Sequence, residues 1–406
     1  MKVIWLCGFS NSNIGKRFGF NNFKESAPWI NNLISIFENH NDLELHIIAP
    51  NVYSNTTVHF KENHIWFHLF KYTPKHFNKV FNKIKFNELS SYYFQRLRIR
   101  KIVNTISPDI IHLHGAENPI YSASILDYYR NFLCFVTVQG FIFQDIRSNN
   151  FTNKVRKKFE KKILCSLTNF GVRTKDMCNI LAEFNPNSTF YWHNYPITKP
   201  ISFHCIDSPQ YKYDCISFGR ISIENGIEDF LHAISLVKRY FPNIRCALIG
   251  PVGAQYKIKL LQIINRLDLT NNIIITGYYC NQQLAFKEVS LAKINVLCTY
   301  YDIIPGTIIE SMYIGTPVIA YGVGGIPELN QDRESLITVD KCDIKQLSLA
   351  IINLLKDTDY RRKLSNNAKI TVNQYFDNTS IYKNLFEIYC TLTQSKKTNF
   401  TVCTDR

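Results

Sequence analysis

The chain has 406 residues and a mass of 47.4 kDa; it is 46% hydrophobic and 19% charged, and its formal net charge is +15. This length exceeds what one hydrophobic core normally supports, and the apolar fraction excludes a disordered protein, so we expect two globular domains. The surplus of positive charge indicates an anionic partner. The candidates are nucleic acid, an anionic membrane and a phosphorylated substrate.

The first half of the chain alternates short apolar runs with polar loops and amphipathic helices. A helix is predicted near Pro28 to Asn39, and strands at Val3–Leu6, Leu45–Pro50, Asp109–Gly115 and Leu133–Val138. Buried parallel strands have this apolar character. Strands that alternate with helices predict a doubly wound parallel sheet.

A second series follows a proline-rich connector between Trp192 and Pro209. Its predicted strands are Tyr213–Phe218, Cys246–Ile249, Ile273–Thr276, Ile294–Cys298, Pro317–Ala320 and Leu336–Val339. We therefore predict an α/β protein of two Rossmann-like, doubly wound domains facing a cleft. The predicted parts are residues 1–195, residues 205–375, and a C-terminal helix at 376–394 that crosses back to the N-terminal domain.

In two loops of the second series, a glycine that follows a predicted strand lies next to residues that could bind a ligand. Gly219-Arg220 follows a strand directly, where a guanidinium can clamp a diphosphate by paired hydrogen bonds. Gly306 leads into a helix near Thr307, whose backbone N–H groups and dipole attract phosphate. Glu310 lies about one turn inside that helix. Taken singly, these features are equally consistent with a surface arginine, a loop glycine and a solvated glutamate.

Together these stretches resemble the retaining family-4 glycosyltransferases (glycosyltransferase group 1), which have the GT-B fold. The resemblance is strong over residues 213–330 and weaker in the first half of the chain. It rests on the following residues: Gly219-Arg220 with Gly226, Glu310, Gly315, Pro317-Val318-Ile319-Ala320, and the loop Gly322–Leu329.

The resemblance implies a hexosyl- or glycosyltransferase that takes its sugar from a UDP- or GDP-sugar, with no cofactor and no essential metal ion. It implies that Arg220 holds the donor diphosphate, that Gly306 and Thr307 cap its phosphate, and that Glu310 holds the ribose hydroxyls. The remaining donor-binding residues that it implies are Gly219, Asn225, Gly250, Gly277 and Tyr278. Its implied catalytic residues are Asp302, Glu310, Arg220 and Gln139.

Three of these positions depart from the family pattern. Asp302 stands where the family has a glutamate that touches the donor sugar, and is one methylene shorter. Asn225 stands where the family has a lysine that helps to stabilise the leaving diphosphate. Gln139, in Thr137–Gly140, replaces a histidine near the donor sugar, and its amide can form hydrogen bonds but does not titrate.

The positive charge lies mainly in the first half. Residues 1–200 hold 25 Lys and Arg against 13 Asp and Glu, whereas residues 201–406 have a net charge of only +3. The surplus concentrates in Lys75–Lys101, where aromatic residues interleave with it, and in Lys154–Lys162. Basic, aromatic segments suit an anionic membrane surface, and a solvated helix surface is the alternative. The sequence shows no nucleic-acid-binding module, so we expect no nucleic-acid partner.

The twelve cysteines show no zinc-type spacing, and the sequence shows no cleavable signal peptide or transmembrane span. We therefore predict a cytoplasmic enzyme, peripheral on the inner face of the cell membrane. It is predicted to transfer sugar to a lipid-linked glycan acceptor in surface polysaccharide biosynthesis. Asn225, Asp302 and Gln139 motivate the alternative, a catalytically weak GT-B protein that binds nucleotide sugar or glycan as an assembly partner.

Overall fold

The computed structural model describes residues 1–21, 25–72, 85–144, 150–200 and 211–402. The chain divides into two compact units, one formed by Met1–Pro196 with Asn378–Arg406 and the other by Ile197–Asp377. The first crossing between units therefore falls inside the proline-rich connector, of which residues 201–210 lie outside the described part.

The described part of the first unit contains one sheet, which is parallel apart from one hairpin. Its strands are β1 (Lys2–Leu6), β2 (Glu44–Asn51), β3 (Val58–Glu62), β4 (Ile65–Lys71), β5 (Ile110–His114), β6 (Leu133–Thr137), β7 (Asn169–Val172) and β8 (Thr189–Trp192). Their order is β3-β4-β2-β1-β5-β6-β7-β8, and only the β3–β4 pair is antiparallel. The sheet is thus doubly wound, with its reversal of strand order at β1 and β5.

Helices connect most of these strands. They are α1 (Ser12–Arg17), α2 (Pro28–Phe37), α3 (Phe86–Leu89), α4 (Tyr93–Ile106), α5 (Pro119–Ser122), α6 (Phe151–Ser166) and α7 (Lys175–Phe184). Pro28 at the first position favours the start of α2, and its apolar residues at helical spacing, such as Ile30 and Leu33, are buried. Asn150 caps α6 by accepting a hydrogen bond from the backbone N–H of Asn153.

The second unit has a wholly parallel sheet. Its strands are β9 (Tyr213–Phe218), β10 (Cys246–Ile249), β11 (Ile273–Gly277), β12 (Ala292–Leu297), β13 (Val318–Tyr321) and β14 (Ile337–Val339). Their order is β11-β10-β9-β12-β13-β14, so the order reverses between β9 and β12. Every strand predicted for this unit is present, and the prediction of two doubly wound α/β domains is confirmed.

In the described part of the second unit, six helices cover the sheet: α8 (Ile227–Val237), α9 (Ala254–Arg266), α10 (Gln282–Ser290), α11 (Gly306–Ile314), α12 (Ile344–Lys356) and α13 (Thr358–Tyr375). Asp343 and Asp357 cap α12 and α13 through backbone N–H groups three residues on. One core cluster packs α8, α9 and α12 on the sheet and includes Phe230 and Leu248.

The last helix, α14 (Asn378–Val402), packs on the first unit. Leu385, Tyr389 and Leu392 are buried in the same cluster as Trp5 of β1, and Trp5 Nε1 donates to Tyr389 Oη at 2.8 Å. The helix is longer than the predicted 376–394. The polar sequence after Leu392 has no apolar periodicity from which this extension could be predicted.

Candidate functional site

Three glycines in succession line the carboxyl edge of the second sheet. Gly219 follows β9, Gly250 follows β10 and Gly277 ends β11. The Gly219 N–H donates to the Ile249 carbonyl at 2.9 Å, and the Gly250 N–H donates to the Gly277 carbonyl at 3.0 Å. A Cβ on Gly250 would lie 1.9 Å from the Gly219 carbonyl oxygen. The backbones at this edge therefore approach so closely that only glycine fits at position 250.

The loop after Gly219 is closed by a side chain. Asn225 Nδ2 donates to the Arg220 carbonyl oxygen at 2.7 Å. Gly226, with φ +61°, then starts α8, where a Cβ would lie 2.1 Å from the Cys298 carbonyl. Arg220 itself is exposed, and among the described residues its guanidinium has no ion-pair partner. Asn225 therefore supports the loop, while the only cation of the loop points to solvent.

The first turn of α11 lies beside this loop. The Cβ position of Gly219 is 3.7 Å from Thr307 Cγ2, 3.8 Å from Thr307 Oγ1 and 4.0 Å from Asn225 Nδ2. No side chain caps α11 at Pro305, and the N–H groups of a first helical turn have no acceptor within the helix. Gly306 is exposed. The structure thus brings Gly219, Asn225 and the amino end of α11 together, and the N–H groups of a helix start can attract an anion.

Glu310 lies one turn deeper in α11 and is buried, with 8% of its surface exposed. Its Oε1 accepts a hydrogen bond from Gln282 Nε2 at 2.8 Å. Burial raises the pKa of Glu310 to about 8, and the hydrogen bond from Gln282 acts in the opposite direction. The carboxyl group can therefore gain or lose its proton near neutral pH. When it is ionised, it can accept hydrogen bonds from hydroxyl groups.

A buried amide in β12 connects the two halves of this arrangement. Asn295 Oδ1 accepts from the Phe218 N–H at 3.2 Å, and its Nδ2 donates to Ser311 Oγ at 2.8 Å. Ser311 Oγ donates in turn to the Thr307 carbonyl at 2.8 Å. Sequence reasoning missed both Asn295 and Gln282. For Asn295 a signal existed, because it is a polar residue inside the apolar run Ile294–Cys298.

The other predicted residues of this unit lie at the same edge. Asp302 is part of the loop between β12 and α11, and its carbonyl oxygen would lie 1.9 Å from a Cβ on Gly324. The Gly325 N–H donates to the Ile303 carbonyl at 2.7 Å, so the loop after β13 packs against the loop of Asp302. Tyr278, directly after β11, is 65% exposed.

Gln139 belongs to the first unit, where it follows β6. Arg173 Nη2 donates to its carbonyl oxygen at 3.0 Å, and its own Nε2 lies 3.4 Å from Tyr195 Oη. His114 Nδ1, at the end of β5, lies 3.3 Å from the same hydroxyl. Both ring nitrogens of the buried His112 are hydrogen-bonded, to Tyr389 Oη and Thr137 Oγ1, so this histidine is part of the core.

Comparisons with known proteins indicate a similarity to glycosyltransferases. A family model described as "Glycosyl transferases group 1" matches residues 203–371. Poly(glycerol-phosphate) alpha-glucosyltransferase of Bacillus subtilis is 25% identical over 181 residues, which cover 44% of this chain and 26% of that protein. Alpha-D-kanosaminyltransferase of Streptomyces kanamyceticus is 25% identical over 150 residues, with coverages of 37% and 38%. The chain thus matches only about a quarter to two fifths of these relatives' length.

Similar solved structures extend over both units. Sucrose-phosphate synthase of Thermosynechococcus elongatus has a TM-score of 0.73 and 15% identity, covering 97% of this chain and all of that chain. Anabaena HepE, solved with UDP and glucose, has a TM-score of 0.67 and 16% identity, covering 96% of this chain and all of that one. At these identities the likeness shows a shared fold.

Proposed function

We propose, on the premise that this chain belongs to the group 1 glycosyltransferases, that it transfers a hexosyl group from a UDP- or GDP-sugar to a glycan acceptor with retention of anomeric configuration. One observation carries the donor assignment: the loop of Gly219, Asn225 and the amino end of α11 meet at the carboxyl edge of a doubly wound sheet. Ligands of such sheets bind at this edge, at the reversal of strand order. HepE, which shares the fold, was solved with UDP.

Each donor residue has a role that suits its position. Arg220 binds the diphosphate, since its exposed guanidinium offers paired N–H donors without an ion-pair partner in the described residues. The N–H groups of Gly306 and Thr307 bind the outer phosphate at the helix start. Glu310 accepts hydrogen bonds from the ribose hydroxyls. Gly250, Gly277 and the exposed Tyr278 flank the nucleobase.

The chemistry needs stabilisation of the charge that develops on the leaving diphosphate. Preorganised donors at that charge are commonly the largest catalytic contribution. We assign this task to Arg220 and the amino end of α11, with no cofactor and no metal ion. Asp302 and Gln139 are assigned to hydroxyls of the transferred sugar, which both can bind by hydrogen bonds.

The test is a thermal-shift screen of nucleotides and nucleotide sugars, followed by turnover with the stabilising donor. We expect stabilisation by one UDP- or GDP-sugar, since a ligand that binds only the folded state raises its stability. Arg220→Gln should remove the shift, whereas Arg239→Gln, at an exposed position after α8, should retain it. A wild-type protein that no nucleotide sugar stabilises would contradict the proposal.

Asn225 favours a second candidate function, a protein that binds a nucleotide sugar as an assembly partner without efficient turnover. Its amide is engaged with the Arg220 carbonyl and supplies no positive charge to a leaving diphosphate. Loss of one stabilising group typically costs ~10²–10³ in rate. If the wild type binds donor without hydrolysis or transfer, and Asn225→Lys creates turnover, the second candidate is correct.

We further propose that the acceptor is lipid-linked and that the first unit lies on the inner face of the cell membrane. Among the residues described, no helix is both long and apolar enough to span a bilayer. Exposed apolar side chains cluster on α3 and α4, where Leu89 is 66%, Tyr93 57%, Phe94 43% and Leu97 38% exposed. Tyr93 and Leu97 are one turn apart on α4, and the exposed basic residues Arg100 and Lys101 follow on the same face.

A second basic surface lies on α6, where the exposed residues Lys154, Lys158, Lys161 and Lys162 recur at helical spacing. Not every basic residue of the predicted cluster is available. Arg96 and Arg100 both pair with Asp127, and Arg98 donates to the Lys71 carbonyl. Lys75, Lys79 and Lys83 lie outside the described residues. The proposed membrane surface therefore comprises the exposed apolar residues of α3 and α4 and the lysines of α6.

Sedimentation with vesicles that contain phosphatidylglycerol tests this surface. Lys158→Gln with Lys161→Gln and Lys162→Gln should weaken binding, because each basic residue near an anionic surface contributes about 1 kcal/mol. The control is Lys257→Gln, at an exposed position of the second unit. Unchanged vesicle binding by the triple variant would refute the surface. Binding to poly(glycerol phosphate) in place of vesicles would assign the charge to an anionic polymer acceptor.

A further inference from the structure

A buried carboxylate in the first unit has no role in the mechanism above. Glu160 of α6 is completely buried, and both of its oxygens accept backbone hydrogen bonds. Oε1 accepts from the Ile142 N–H at 2.9 Å, and Oε2 accepts from the Phe143 N–H at 2.7 Å. A buried carboxylate is costly unless it is hydrogen-bonded in this way, so the two N–H groups and the carboxylate depend on each other.

The two N–H groups belong to the loop that carries Gln139. This loop, residues 138–144, leaves the end of β6 and contains a short 3₁₀ turn at Ile142–Gln144. Its first residues are held by hydrogen bonds, from the Val138 N–H to the Gly171 carbonyl at 3.2 Å and from the Arg173 side chain to the Gln139 carbonyl. Glu160 is the polar anchor of the far end of the loop, just before residues 145–149, which lie outside the described part.

The same face of α6 also holds the neighbouring loop. Arg156, one turn before Glu160, donates from Nε to the Glu117 carbonyl at 3.0 Å. That carbonyl lies in the loop after β5, three residues beyond His114. The inner face of α6 thus fixes the two loops that follow the adjacent strands β5 and β6, while its outer face carries the lysines of the proposed membrane surface.

The ionisation of Glu160 determines how well its carboxyl group holds the two backbone N–H groups. Burial raises the pKa of Glu160 to about 7; the two N–H donors and Arg156 act to lower it, and Glu117 acts to raise it. The ionised carboxylate offers an acceptor oxygen to each N–H, whereas a glutamine amide offers only one oxygen and a competing donor. Glutamine at this position therefore retains the volume of the side chain but releases one end of the loop.

We propose that Glu160 is a positioning residue for the donor sugar: its carboxylate holds residues 138–144 so that Gln139 can hydrogen-bond that sugar. The inference rests on the proposed function, because it assigns Gln139 to the transferred sugar. Glu160 does not contact the substrate. Its effect is transmitted through the two backbone N–H groups and through Gly140 and Phe141, the two residues between Gln139 and Ile142.

The test compares affinities for UDP and for the nucleotide sugar that gives the largest thermal shift, at about pH 8 where the carboxyl is mainly ionised. Glu160→Gln should leave the Kd of UDP unchanged and raise that of the nucleotide sugar about tenfold, the effect of losing one good hydrogen bond to the sugar. Gln139→Ala should reproduce this selective loss, and the double variant should be no worse than either single one. Glu183→Gln, at an exposed glutamate of α7, is the matched control.

A ratio of two dissociation constants does not depend on the fraction of folded protein, so a merely structural role would not change it. If the ratio in Glu160→Gln equals that of the wild type, or if the effects of Glu160→Gln and Gln139→Ala are additive, the proposal is wrong. Should Glu160→Gln fail to fold, Glu160→Asp tests the same anchor by shortening it, because its carboxylate is one methylene further from the Ile142 and Phe143 N–H groups; the same selective rise in the Kd of the nucleotide sugar is expected. Failure of the wild type to bind any nucleotide sugar would instead contradict the proposed function.

Discussion

The buried carboxyl of Glu310 makes the stability of the ligand-free protein depend on pH. Its folded-state pKa is about 8, against an ordinary value of 4.5. Because the folded state holds the proton more tightly, this group's contribution to stability is fully present below pH 4.5. It is lost progressively as the pH rises to about 8. At about 1.36 kcal/mol per unit, the loss amounts to about 5 kcal/mol.

Glu310→Gln removes this dependence while keeping the side-chain volume and a carbonyl oxygen for Gln282. Thermal unfolding of both proteins without ligand, from about pH 5 to about pH 9, measures the effect. We expect the wild-type Tm to fall relative to that of Glu310→Gln as the pH rises, and the two to converge at the acidic end. The pKa values of Glu117 and Glu160, which burial raises to about 7, affect both proteins equally and cancel in the comparison.

Donor binding provides the second measurement of the same carboxyl. Ribose hydroxyls donate to the ionised form, so UDP affinity should rise about tenfold per pH unit up to the pKa, with release of a proton on binding. Calorimetric titration of UDP in buffers of different ionisation enthalpy detects that proton. Glu310→Gln should bind UDP without the pH slope. Parallel Tm profiles together with equal UDP slopes in the two proteins would refute the reasoning.

Three further substitutions test the donor site. Gly250→Ala should weaken UDP binding at least about tenfold, because its Cβ would meet a carbonyl oxygen at 1.9 Å, whereas Gly253→Ala, with open space around it, should bind normally; calorimetry of both decides. Arg220→Gln should weaken UDP binding about tenfold or more but leave uridine binding unchanged, because only UDP has the diphosphate; equal losses for both ligands would contradict the assignment. Asn295→Leu leaves a buried N–H and a hydroxyl without their partner, and should lower the urea-derived free energy of unfolding by about 1–3 kcal/mol; an unchanged value would show that the amide link is dispensable.

The strands of the second sheet could be predicted from the sequence because each is an apolar run followed by a polar or glycine-rich loop. Buried parallel strands require that character locally. The β3–β4 hairpin, β7 and β8 were not predicted; of these strands, β3 and β8 lie at the edges of the sheet, and all four residues of β8 are at least partly exposed. Edge strands bury less apolar surface, so their sequences carry a weaker signal.

The donor loops could also be predicted from the sequence, since Gly219-Arg220 and Gly306-Thr307 are contiguous motifs and a helix start is a local property. The residues that hydrogen-bond to these loops and to α11 could not be predicted. Gln282 is 28 residues from Glu310, and Asn295 is 77 residues from Phe218. Such contacts depend on how helices and strands are arranged in space, which no local pattern specifies.

The sequence by itself determined the fold class, the donor-loop motifs and the location of the positive charge, because apolar periodicity, glycine turns and charge are properties of neighbouring residues. Only the tertiary structure decided that Glu310 is buried against Gln282, that Asn225 supports a backbone carbonyl, and that Glu160 anchors the Gln139 loop. Desolvation and hydrogen bonding change the chemistry of these side chains, and both arise from residues brought together by folding.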